Sequence, residues 1–134
     1  MQRLLLAYDG SAPSKQATAR AGSFARQLGA RVTVLIVGGL VESGYGTVVP
    51  VVDAEEYERV LAEGVDDLRR MGVEAQGRLV WGGAGEKIVE AAREEAADLI
   101  VMGHRGHGGL KSLLLGSVAK HVIDHAACSV LVVR

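Results

Sequence analysis

The sequence predicts an α/β domain built on an open, parallel, five-stranded sheet with helices on both faces. Three observations predict it. Five short apolar runs recur along the chain, and segments of helical period separate them. Four of the runs are continuous Val/Leu/Ile stretches, which strands covered on both faces require. One domain over residues 1–134 accounts for the length, with no repeat or low-complexity tract.

The elements follow in order. Leu4 to Tyr8 reads as the first strand. Ala17, Ala21, Phe24, Ala25 and Leu28 then form a helical stripe, capped by Ser11 and closed by Gly29. Val32 to Val37 is the second strand. Gly38 to Val52 is expected as a long loop of fifteen residues, four of them glycine, able to fold over a ligand. Tyr45 within it reads either as an exposed loop aromatic or as a ring that packs on such a ligand. Asp53 and Glu56 make a start related to the capping box, Leu61, Val65 and Leu68 follow at helical spacing, and Gly72 ends that helix. Val73 to Val80 alternates, as befits a strand nearer an edge, with Trp81 as packing. Ile88, Val89, Ala92 and Ala96 mark the third helix, and Leu99 to Met102 the fourth strand. Ser117 opens the fourth helix (Val118, Val122, Ile123, Ala126), and Val130 to Val133 is the fifth strand.

Strand–helix alternation with right-handed crossovers leaves few topologies. The expected sheet order is 3-2-1-4-5, which puts a switch point between strands one and four. Ligands in such sheets bind at the carboxyl ends of the strands there.

Composition narrows the function. A net charge of −1 provides no global field for nucleic acid or anionic lipid. The apolar runs are too short to cross a bilayer, and the N-terminus lacks a leader pattern, so the expected location is the cytoplasm. Cys128, the only cysteine, excludes an internal disulfide and a cysteine zinc cluster, and reads as a buried, inert thiol.

The informative stretch runs from Met102 to Val118. Four glycines fall within seven residues directly after a buried strand, and Gly116-Ser117 opens a helix. Such a loop exposes main-chain N–H groups, and a helix start favours phosphate. Arg105, His107 and Lys111 add positive charge. The stretch is not a Walker A loop, because Lys111 follows Leu110 rather than glycine. Nor is it a dinucleotide fingerprint, since Asp9-Gly10 follows the first strand. These residues specify an anion site without naming the anion.

The spacing Gly103-x2-Gly106-x9-Gly116-Ser117 resembles the G-2x-G-9x-G(S/T) motif of ATP-binding universal stress proteins. The opening strand running into Asp9-Gly10-Ser11 and the ending His125-Ala126-Ala127-Cys128-Ser129-Val130-Leu131-Val132-Val133 are similar to that family too, in the right order. The resemblance implies ATP as ligand, accompanied by Mg²⁺. It places Gly103, Gly106, Gly116 and Ser117 on ribose and phosphates, helped by main-chain groups of Met102, His104, Arg105, His107, Gly108 and Val118. Asp9, flanked by Ala7, Tyr8 and Ser11, is implied beside the ribose or the metal-bound phosphates, and Val37 at the adenine edge. His104 and His107 depart from the Ser and Arg frequent in the family, and Ser129 from its Pro.

No catalytic constellation emerges. Cys128 has no activating partner in the sequence, and phosphoryl transfer needs a base and metal carboxylates, for which only Asp9 is a candidate. His121 and His125 share a helix face but lack a third metal ligand; His125 suits the negative end of its helix. The expected function is therefore an ATP-binding regulatory or stress-response protein with little or no turnover. An ATP-using enzyme of the nucleotide α-hydrolase group is the alternative, although that group often carries Ser-Gly-Gly-x-Asp-Ser where Asp9-Gly10-Ser11 stands. An interaction module that has lost nucleotide binding is disfavoured by the intact glycine spacing. A homodimer through the apolar edge strand Val130 to Val133 is expected, and the resemblance implies the same.

Overall fold

The computed structural model describes residues 2–50, 52–105 and 115–134. Strand β1 (Arg3–Ala7) leads into helix α1 (Ala12–Leu28) and strand β2 (Arg31–Gly38). Two short strands, β3 (Leu40–Glu42) and β4 (Val48–Pro50), precede helix α2 (Ala54–Arg70). Strand β5 (Ala75–Trp81), helix α3 (Ala84–Glu94), strand β6 (Leu99–Gly103), helix α4 (Ser117–His125) and strand β7 (Ser129–Val133) complete the chain. The main sheet has the order β5-β2-β1-β6-β7 with every pair parallel, which is the expected 3-2-1-4-5 arrangement.

The two faces of the sheet follow from side-chain alternation. Leu4, Leu6, Val32, Val34 and Val101 meet the Ala17–Ala21–Ala25 stripe of α1 and Leu61, Val65 and Leu68 of α2. Leu5, Leu35, Ile100 and Met102 meet Ile88, Ala91 and Ala92 of α3 and Ala119 and Val122 of α4. Leu5 and Leu6 are completely buried, and each contributes ~1.5–3 kcal/mol relative to exposure.

Helix α1 is bounded as the sequence predicts. Ser11 Oγ accepts the Ser14 N–H (3.3 Å), and Gly29 closes the helix in the left-handed conformation (φ 64°). Helix α2 differs. Asp53 occupies the cap position, but its side chain makes no capping bond, and its main-chain oxygen takes the Glu56 and Tyr57 N–H groups instead. The segment expected as an open loop also differs, for it folds back as the antiparallel β3–β4 hairpin, with Val41 opposite Val49. Ser43 and Thr47 close its turn through their hydroxyls, 2.6 Å apart, a local pairing that the glycines had masked.

The amino edge of the sheet is tied by a carboxylate. Asp98, just before β6, accepts the N–H groups of Gln2 (2.8 Å) and Arg3 (2.9 Å), and its own N–H donates to the Arg3 oxygen (2.8 Å). The two main-chain bonds hold the Asp98 carboxyl below the usual aspartate range. Because the folded-state value is depressed, its contribution to stability is present above the unfolded value of ~3.9 and fades as pH falls through the lower folded value. Asp98→Asn should therefore lower the urea midpoint at pH 7, and the difference from wild type should shrink steadily below pH ~4. A deficit that is the same at pH 7 and pH 3 would show that the carboxylate charge is not what matters.

Candidate nucleotide site

A cleft of about 520 Å³ opens where β1, β2 and β6 end. It lies at the reversal of strand order, since β2 and β6 flank β1 on opposite sides. Its volume suits a small organic ligand.

The β1–α1 turn builds one wall. Ala7, Tyr8 and Asp9 line the cleft, and Asp9 Oδ1 accepts the Ser11 N–H (2.9 Å). That carboxylate thus helps shape the turn and faces the cleft as well. Ser14, which donates its hydroxyl to the Ser11 oxygen (2.9 Å), lines the cleft from α1. Ser11, whose hydroxyl caps α1, is not among the described residues that line it.

The opposite wall comes from β6 and α4. Met102, Gly103 and Arg105 line it, followed by Gly116, Ser117, Val118 and Ala119. The two segments are clasped together, for the Gly116 N–H donates to the His104 oxygen (2.7 Å) and the His104 N–H to the Val133 oxygen (3.0 Å). His104 therefore serves the framework through its main-chain groups, and it is not among the described residues that line the cleft. At Gly103 the chain passes so close to α1 that an added Cβ would stand 2.7 Å from Pro13 Cβ and 3.0 Å from its main-chain oxygen.

The electrostatics of this wall are one-sided. The ladder of α4 begins with the Lys120 N–H on the Gly116 oxygen, so the amides of Ser117, Val118 and Ala119 precede it. No acidic residue occupies the first turn. Arg105 Nη1 is buried without a hydrogen-bond partner among the described residues. A buried charged donor left unpaired costs more than a neutral one, so the wall is prepared for an anion.

The other end of the cleft is apolar. Leu35, Ile36 and Val37 of β2, Ala84 and Ile88 of α3, and Tyr57 of α2 line it. Tyr8 is 3% exposed, and burial, reinforced by Asp67, Glu63 and Asp9, raises its phenol further above neutral pH. Cys128 is half-buried, and that burial raises its thiol too, in keeping with an unreactive group.

The chain matches the universal stress protein family over residues 1–134. It belongs to that family. A universal stress protein of Thermus aquaticus is 37% identical over 98% of this chain and 97% of its own length. The structure of a universal stress protein from Archaeoglobus fulgidus superposes with a TM-score of 0.80 at 27% identity, covering 100% of this chain and 99% of that one. A universal stress protein solved in complex with cAMP has a TM-score of 0.77 at 27% identity, covering 99% and 97%.

In this universal stress protein, Ala7, Tyr8, Asp9, Val37, Met102, Gly103, Arg105, Gly116, Ser117 and Val118, all named from the sequence, line one cleft. Gly106, His107 and Gly108 lie outside the described residues. Tyr45 is 96% exposed at the hairpin turn and plays no part in the cleft. Sequence reasoning missed Ser14, Leu35, Ile36, Tyr57, Ala84, Ile88 and Ala119. Ala84 and Ile88 were within reach, because the first turn of a helix that follows a parallel strand sits on the carboxyl edge. Tyr57 carries no local signal, since α2 follows a hairpin and its approach to β2 is tertiary.

His121 and His125 stack at 4.2 Å, and His125 Nδ1 lies 2.8 Å from the His121 oxygen, as suits the end of a helix. Among the described residues no group of three or more metal-ligating side chains occurs.

Gly103→Ala tests the close approach of β6 and α1. The added methyl meets main-chain atoms of Pro13, so stability should fall by ~1–3 kcal/mol in urea titrations. A variant as stable as wild type would mean that α1 yields freely at this point.

Proposed function

We propose that this universal stress protein binds ATP in the cleft and acts in a nucleotide-dependent regulatory or stress-response role, with little or no turnover. The observation that carries the reading is the pairing of an apolar end with a donor end in one cleft. At the donor end, the amides of Ser117, Val118 and Ala119 and the Nη1 of Arg105, unpartnered among the described residues, suit phosphates. At the other, Val37 and its apolar neighbours suit a base. Asp9, between them in the turn that follows the central strand, is then beside the ribose, with Gly103 and Gly116 allowing close approach of the chain. The relative solved with cAMP supports an adenine nucleotide as the class of ligand. Gly106, His107 and Gly108 belong to the proposed phosphate set through the glycine spacing.

Mg²⁺ would come with the phosphates. Asp9 is the one carboxylate among the described residues that line the cleft, too few for a protein-built metal cage. The same scarcity underlies the proposed lack of turnover, which needs a positioned base and metal carboxylates. Calorimetry should show ATP·Mg²⁺ binding and a melting temperature raised by several degrees at saturation. Arg105→Ala should weaken binding roughly tenfold or more, the worth of a charged hydrogen bond. No heat at millimolar ATP would defeat the proposal, and sustained hydrolysis at ~1 s⁻¹ would defeat its non-enzymatic part.

A homodimer through β7 is part of the same proposal. β7 lies at the sheet edge, with Val130, Leu131 and Val132 half-buried. Because the Val133 oxygen faces β6, where it takes the His104 N–H, alternation turns the polar groups of Val130 and Val132 outward. Those groups offer a pairing edge to a second copy. Val132→Pro should leave the β6–β7 ladder intact and give monomers in sedimentation, whereas wild type should sediment as a dimer. Dimers from the proline variant would place the interface elsewhere.

A further inference from the structure

We infer that Tyr57 is the aromatic wall against which the base of the bound nucleotide lies, held ready by Trp81 and Gly39. The inference rests on the ATP reading above and adds a residue that recognises one part of the ligand.

The chemistry of the cleft orients the nucleotide. Its donors gather where β6 passes into α4, at Arg105 and the first amides of the helix. Its apolar side chains gather where β2 ends, two strands away and so about 10 Å across the sheet edge. Phosphates belong at the first place and a flat, weakly hydrated base at the second. Among the described residues two phenol rings line the cleft, those of Tyr8 and Tyr57. Tyr8 packs within the core beneath α2, with Gly64 against its ring. Tyr57 is only half-buried, and it stands at the β2 end.

Two contacts hold Tyr57 in place. Trp81 meets its ring edge to face, with centroids 5.4 Å apart and planes at 82°. The Gly39 N–H donates to its hydroxyl (3.2 Å). Trp81 is itself seated on Gly38, where an added Cβ would come within 2.4 Å of the indole. The side-chain entropy of a Tyr57 wall is therefore largely lost before any ligand arrives, which favours binding. Its hydroxyl accepts the Gly39 N–H and so fixes the ring, which is the part of Tyr57 offered to a base. That ring reads flatness and leaves the base edge to other groups. Gly39 leads directly into β3, so the same residue also joins the cleft to the hairpin.

The test compares wild type with Tyr57→Leu and Tyr57→Phe. ATP and inorganic triphosphate are titrated by calorimetry, and the emission of Trp81, the only tryptophan, is followed in parallel. Leucine keeps the apolar bulk, and thermal unfolding checks that each variant folds. Tyr57→Leu should weaken ATP roughly tenfold to a hundredfold, the range of a lost base–aromatic stack, and leave triphosphate affinity unchanged. Tyr57→Phe should restore ATP binding. In wild type, ATP should change Trp81 emission and triphosphate should not. Equal ATP affinity in wild type and Tyr57→Leu would overturn the inference while the ATP reading stands. So would parallel loss of both ligands, the mark of a structural strut. Wild type that binds neither ligand would overturn both readings.

Discussion

Everything in this fold depends on the complete enclosure of β1. The strand is hydrogen-bonded by β2 along one edge and by β6 along the other, and helices cover both of its faces. Leu4, Leu5 and Leu6 are each at most 2% exposed. In such a place every main-chain polar group must enter a ladder, and an unpaired charge is excluded. Polar chemistry is thereby driven to the ends of the strand. At the amino end Asp98 ties Gln2 and Arg3; at the carboxyl end Asp9 is the first carboxylate to appear. Because the chain leaves β1 toward β2 and returns to β6 on its other side, the carboxyl end opens into a crevice. The candidate site is the consequence of that topology.

Small residues decide how closely the layers approach that crevice. Ala17 and Ala21 of α1 have no exposed surface, which lets the helix lie low over the sheet. Gly103 then admits Pro13 at contact distance, and Gly116 admits the main chain of Arg105. The donors of α4 are brought to the cleft by these approaches, and by the bond from the Gly116 N–H to the His104 oxygen. Larger side chains at the same points would separate the walls.

The opposite side of the cleft is organised around aromatic groups. Tyr57 and Trp81 come from α2 and β5, and they meet above the last residues of β2. Through Gly39 this cluster also anchors the β3–β4 hairpin, whose Leu40, Val41, Val48 and Val49 are all exposed. The cleft and the hairpin thus meet at Gly39.

The order of elements was legible in the residues themselves. Runs such as Val32–Ile36 pay no penalty only where both faces are covered, and helix boundaries such as Ser11 and Gly29 act through groups a few residues apart. The donor side of the site was legible for the same reason, since Gly103, Arg105, Gly116 and Ser117 belong to one strand–loop–helix passage. What the sequence could not disclose depends on residues distant in the chain. The Asp53 side chain caps nothing although its local pattern fits, and only the fold decides that Tyr45 faces water and not a ligand. Tyr57 reaches the cleft only because β5 and β2 lie side by side and set Trp81 against it. Local hydrogen bonding and periodicity act within a turn or two of chain and can be read from it, whereas the choice among competing side chains is made by packing between elements, which exists only once the sheet has formed.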